Sequence, residues 1–136
     1  MAAIGLLAVA LSAGAVAQPA PHLGEFVVFF DLDRAGLTPD MALILDNAAA
    51  AFHQSGEAQV ILTGFADRAG SAAHNLSLSQ RRLDAVRTYL VSRGVPDRAI
   101  AIAALGEQSP RVGTADGVRE PQNRRVEITL GPRPAK

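Results

Sequence analysis

Apolar and polar residues alternate through Glu25–Asp33, EFVVFFDLD, with Phe26, Val28, Phe30 and Leu32 on one face. A period of two predicts a strand. The period changes after Thr38-Pro39-Asp40, where Met41, Ile44, Leu45, Ala48 and Phe52 recur at helical spacing. Thr38 suits the cap, Pro39 the first turn, and Asp40 complements the helix dipole, while Gly56 stops the helix. Ala58–Phe65 is a near-continuous apolar run of strand length, as expected of a central strand covered on both faces. Asp67-Arg68-Ala69-Gly70 reads as a turn. A second helix is predicted from about Leu78 to Arg93, with Ser77 and Gln80 spaced as a capping box and Gly94 as its stop. Ile100–Leu105 reads as a third strand, and Gly106–Pro121 as a loop rich in Gly, Pro and polar residues. In the last strand Val126, Ile128 and Leu130 alternate with Glu127 and Thr129. The order β-α-β-α-β-β predicts an α+β fold, a two-layer sandwich with two main helices packed on one mixed sheet.

The first segment lies outside that pattern. Met1–Ala17, MAAIGLLAVALSAGAVA, carries no charge, and its apolar run Ile4–Leu11 is too short to span a bilayer. Ala15-Val16-Ala17 fits the small-x-small cleavage rule, so residues 1–17 read as a signal peptide with Gln18 as the mature start. The missing basic n-region keeps a short uncleaved anchor as the alternative. Residues 18–24, with two prolines, read as a linker, residues 25–131 as the folded domain and residues 132–136 as a tail.

At 136 residues the chain holds one compact domain. Thirteen basic residues balance 13 acidic ones, so the basic excess that nucleic-acid phosphate demands is missing. There is no cysteine, which removes disulfides, thiolate metal sites, a cysteine nucleophile and a lipid-bearing cysteine together. His22, His53 and His74 show no metal-ligand spacing, and no cofactor is implied.

The chemistry gathers around the second helix. On a wheel of about 100° per residue, Leu78, Leu83, Val86 and Leu90 mark one arc, and Arg82 falls inside it while Arg81 points to solvent. An inward arginine needs an anion or an open end of the core. Near the predicted helix start both are at hand, because Asp67 lies in the preceding turn. Two readings stay open. Asp67 and Arg82 form a structural ion pair, or they hold a ligand bearing one ammonium and one carboxylate. In the second case the guanidinium fork takes the carboxylate, helped by free N–H groups at the helix start.

Other polar residues weigh less. His74 reads as exposed just before the helix, and Asn75 serves equally as a cap or a ligand contact. Asp31 and Asp33 share a face at the strand end, but the company that acid–base work needs is missing. The serines Ser71, Ser77 and Ser79 lack a nucleophile elbow. Arg124 shares phase with Val126 and points to the core side, whereas Arg125 points to water.

The stretch Gly64–Ile100, GFADRAGSAAHNLSLSQRRLDAVRTYLVSRGVPDRAI, resembles the core of the OmpA C-terminal-like domain, whose pattern runs roughly GHTDxxG and then NxxLSxxRA. Glu120–Leu130, EPQNRRVEITL, resembles the closing RxxNRRVEI, and FFDLDRAGLTPD resembles the first strand and helix entry. The resemblance covers Phe26–Leu130. It implies non-covalent binding of peptidoglycan through the zwitterionic end of diaminopimelate in the stem peptide, and no catalysis. By motif position Asp67 and Arg82 carry that recognition, with Asn75, Asn123, Arg124 and Arg119 as further matches. It also implies a periplasmic protein at the outer membrane or wall, tethering the envelope, with an envelope or outer-membrane protein as a further partner. Phe65 stands where the family usually has histidine and Ala66 where it has threonine, a lost hydroxyl worth about 1 kcal/mol. The other readings are a purely structural periplasmic domain and a wall-acting enzyme drawing on Asp31, Asp33 and His74.

Overall fold

A computed structural model describes residues 24–56, 58–106, 112–115 and 117–132. The expected signal segment, residues 18–23 of the linker, part of the long loop and residues 133–136 of the tail lie outside the described residues. The elements run β1 (Gly24–Phe29), α1 (Pro39–Gln54), β2 (Ala58–Phe65), α2 (Ala72–Ser92), β3 (Ile100–Gly106) and β4 (Arg125–Pro132). Short 3-10 turns at Asp97–Ala99 and Pro121–Asn123 lead into β3 and β4. The sheet order is β1-β4-β2-β3. β4 pairs antiparallel with both β1 and β2, and β2 pairs parallel with β3, so the sheet is mixed. The α+β expectation holds.

The core lies between the sheet and the helices. Val28, Val60, Leu62, Val126, Ile128 and Leu130 meet Met41, Leu45 and Phe52 of α1 and Leu83, Val86 and Leu90 of α2. Thr38 caps α1, its hydroxyl accepting from the Met41 amide at 3.3 Å. α2 lies close over the end of β2 because Gly64 has no side chain. A Cβ there would stand 2.8 Å from Leu83 Cγ and 2.9 Å from the Ser79 carbonyl oxygen.

Three sequence expectations change. α2 begins six residues before Leu78, with Ser71 rather than Ser77 as the cap, its hydroxyl accepting from the His74 amide at 3.1 Å. Before Leu78, α2 buries Asn75 and no apolar side chain, so no apolar stripe marks its start. β1 ends at Phe29, although alternation continues to Leu32. The Phe30 amide donates to the Arg124 carbonyl at 2.8 Å, and the chain then turns, with the Arg34 amide donating to the Asp31 carbonyl at 3.2 Å. Asp31 and Asp33 therefore sit beyond the strand, exposed, with Asp33 in the left-handed region at φ 60°. Finally, β2 is central in the hydrogen-bond ladder but is not covered on both faces, since Ile61 is 42% exposed.

Candidate functional site

β2, α2 and the start of β4 converge at one end of the sheet. Asp67, two residues past β2, is 3% exposed. Its Oδ1 accepts from the Ala69 amide at 3.2 Å, which closes the turn locally. Its Oδ2 accepts from the Glu120 amide and from Arg124 Nη1, each at 3.1 Å. Asn75, also buried, donates from Nδ2 to the Asp67 carbonyl at 3.0 Å and so ties the turn to α2. An ionised carboxylate has about four acceptor positions, and three are used, which leaves one on Oδ1.

Arg82 is fully buried. Its Nε donates to the Arg34 carbonyl at 2.9 Å, Nη1 to the Phe65 carbonyl at 3.3 Å and Nη2 to the Asp31 carbonyl at 3.0 Å. The Phe30 ring lies 5.1 Å from its guanidinium carbon. Burial pulls the Arg82 pKa down to about 10; the Arg124 charge pushes the same way, while Asp67 and Asp33 pull it back up. The Asp67–Arg82 ion pair, one of the two readings left open, is absent, because Asp67 pairs with Arg124 instead. Arg82 also lies ten residues, roughly 15 Å, from the first residue of α2, far from the free amides of its first turn. The reason for the difference is backbone bookkeeping. At the end of β2 and in the turn after β1 the carbonyls of Phe65, Asp31 and Arg34 lie beyond the regular ladder and take donors from elsewhere. A planar guanidinium supplies three at once.

Arg124 completes the cluster. Its Nε donates to the Phe30 carbonyl at 3.0 Å, and its Nη2 has no partner among the described residues. Its side chain is 13% exposed, so it is the cation of this group that meets solvent. Asn123 is buried and faces the long loop, accepting from the Val112 amide at 2.8 Å and donating to the Val112 carbonyl at 2.7 Å. Arg119 is exposed and joins neither group. Asp67, Arg82, Asn75 and Arg124 are thus brought together, Asn123 braces the loop beside them, and Arg119 stands apart.

Arg125 does not point to water. It is 3% exposed, its guanidinium carbon 3.7 Å from the centroid of the Phe65 ring and its Nε 3.2 Å from Glu127 Oε1. Strand register explains this. Gly64 faces Val126, so the next row sets Phe65 against Arg125 on the sheet face opposite the helices. Phe65 and Ala66 are both buried, and Ala66 is fixed by its amide donating to the Gly106 carbonyl at 2.6 Å. His74 lies in the first turn of α2, its Nε2 2.6 Å from Asp33 Oδ1. The hydrogen bond and charge of His74 hold Asp33 below its ordinary 3.8.

The residues that sequence reasoning missed are mostly backbone groups: the carbonyls of Asp31, Arg34 and Phe65 and the amide of Glu120. Side-chain identity carries no sign of them. The register of β2 on β4 was the signal that could have found the Phe65–Arg125 stack.

The OmpA family pattern matches residues 29–124, a span that holds this whole cluster. The chain belongs to the OmpA family. Among OmpA-family relatives, an outer membrane protein of Gluconacetobacter diazotrophicus is 42% identical over 113 residues, 77% of this chain and 29% of that protein. A peptidoglycan-associated lipoprotein of Rhizobium meliloti is 33% identical over 130 residues, covering 96% of this chain and 73% of that one. The crystal structure of the peptidoglycan-associated lipoprotein from Burkholderia pseudomallei superposes with a TM-score of 0.71 at 28% identity, over 77% of this chain and 89% of that one. The chain spans about a third or less of the first two curated relatives it matches.

Proposed function

We propose that this OmpA-family domain binds peptidoglycan non-covalently through the diaminopimelate of the stem peptide, in the periplasm beside the outer membrane, and so ties the envelope to the wall without catalysis. One observation carries the reading: a buried carboxylate, Asp67, stands with two guanidiniums, Arg82 and Arg124, at one end of the sheet. Such a cluster offers opposite charges to the two charges of a small zwitterion. The ammonium takes the remaining acceptor position on Asp67 Oδ1. The carboxylate takes the N–H groups that Arg82 and Arg124 do not spend on carbonyls or on Asp67. Asn75 orients the Asp67 turn, and Asn123 and Arg119 contribute from the loop. Relatives named as peptidoglycan-associated lipoproteins support the same reading. An envelope or outer-membrane protein is the further partner.

A purely structural role is favoured by one observation, the use of Arg82 on three carbonyls. Calorimetric titration of residues 18–136 separates the two. A diaminopimelate-type muropeptide should bind. The lysine-type fragment, and the diaminopimelate-type muropeptide with its diaminopimelate carboxylate amidated, should bind at least tenfold more weakly, because an unpaired buried charge costs roughly 2–5 kcal/mol. Equal affinities would refute the assignment. Sedimentation with sacculi should release no soluble muropeptides; their release would point to a wall-acting enzyme.

A further inference from the structure

Arg82 presents a contradiction that the binding model must resolve. A ligand carboxylate has to reach its guanidinium, yet Arg82 is 0% exposed. A short strap, Phe30–Arg34, lies against it. The Phe30 ring lies over the guanidinium, and the Asp31 and Arg34 carbonyls accept from Nη2 and Nε. The strap follows the last β1–β4 bond and carries a non-glycine residue, Asp33, at φ 60°. Such a backbone persists only where something fixes it. Besides the Arg82 and Arg124 bonds to its carbonyls, the strap's own side chains are held by the pair of Asp33 Oδ1 with His74 Nε2 at 2.6 Å, joining it to the first turn of α2 across 41 residues of sequence. Both partners are largely exposed, at 66% and 45% of their side chains, so the pair is within reach of solvent protons.

We propose that the Phe30–Arg34 strap is a lid over Arg82, latched by His74 and Asp33, which act as positioning residues that set how readily a ligand carboxylate reaches the guanidinium. The inference rests on the proposed role of Arg82 in binding. The charges acting on Asp33 are His74, Arg81 and Arg82 of α2, and Asp31 and Arg34 flank it on the strap. Of the side-chain types in the latch, imidazole is the one whose charge ordinarily changes between about pH 5 and 8, whereas a guanidinium stays charged and the Asp33 carboxyl is held lower by its partner. Charged, the imidazole pairs with the carboxylate and closes the strap. Neutral, it leaves only a hydrogen bond.

The latch is tested without ligand by the solvent exchange of the Arg82 Nε–H, followed by NMR at about pH 5.5 and pH 7.5 and corrected for intrinsic exchange. An exposed ion pair shifts an equilibrium by roughly two- to fivefold. Protection in the wild type should fall by that factor at the higher pH, whereas His74→Ala should show the lower protection at both. Asp33→Asn, which tolerates the left-handed backbone, should behave like His74→Ala. In parallel, His74→Ala should bind the diaminopimelate-type muropeptide two- to fivefold more tightly than wild type at about pH 5.5, with the difference narrowing at pH 7.5, because the competent open state is more populated. Unchanged protection in both variants overturns the latch. Loosened protection with unchanged or weaker muropeptide binding overturns the lid. Loosened protection with no binding by either protein supports the latch and refutes the ligand assigned above.

Discussion

Replacing Arg82 with lysine keeps the charge and removes the fork, and the structure sets the cost. The three carbonyls are served by three different nitrogens, Nε, Nη1 and Nη2. An ammonium is a single point, so it reaches one of them and leaves two without their guanidinium donor, although the Asp31 carbonyl keeps the Arg34 amide. A lost bond to an exposed carbonyl costs roughly 0.5–1.5 kcal/mol and a buried carbonyl left bare roughly 1–3, which gives about 1–4 kcal/mol in total. For a domain of about 100 residues, each 1 kcal/mol moves the melting temperature by roughly 4–8 °C, so a fall of roughly 4–30 °C is expected. Urea unfolding followed by circular dichroism at neutral pH measures the free energy, and thermal melts check it. Arg81→Lys is the matched control. Arg81 is exposed, so the change should stay within about 0.5 kcal/mol. If Arg82→Lys unfolds within about 0.5 kcal/mol of wild type, the three carbonyl bonds do not hold the two strand ends together, and the account of Arg82 is wrong.

Gly64→Ala should cost about 1–3 kcal/mol by forcing α2 off the end of β2, since a backbone carbonyl at 2.9 Å cannot swing aside; wild-type stability in urea would mean that the helix is not held close by that glycine. Asp33→Asn should flatten the acid limb of the stability curve. A carboxyl held below 3.8 contributes in full above that value, and the contribution is lost as pH falls through the folded value, so the wild type should lose stability more steeply below about pH 4. Urea midpoints taken from about pH 6 down to about pH 2 test this, and parallel curves for the two proteins would sink it.

Much of the fold was legible because the periods are clean. The β2 boundaries, the Thr38 cap and the Gly94 stop of α2 (φ 89°) follow from residue pattern alone. What failed was whatever depended on burial without apolarity. The first turn and a half of α2, before Leu78, buries only Asn75, so it carries no stripe, and reading from Leu78 placed Arg82 beside a helix start that lies ten residues earlier. The same displacement produced the wrong partner for Asp67. Wheel phase put Arg82 on the inward face correctly, but inward arginines answer to backbone carbonyls as readily as to carboxylates, and carbonyls have no letter in a sequence. Arg125 failed for a related reason. Alternation tells which face a residue takes, not whether that face holds a phenylalanine to cover it.

The ends of β1 and β4 bear on how the domain would carry tension. Gly24 pairs with Leu130, so the chain enters β1 and leaves β4 at the same pole of the sheet. Asp67, Arg124 and the strap lie at the other pole, where β2 and β1 end and β4 begins. If the wall grips that far pole and the envelope pulls on the polypeptide before Gly24, the force runs parallel to β1. The six residues of β1 are then sheared along β4 together rather than peeled one by one, so the bonds between the strands must yield as a set. Resistance to pulling is a matter of unfolding rate rather than of equilibrium stability. Reversing the geometry, with the tether at the end of β1 beside the site, would unzip the same bonds in sequence under a smaller force.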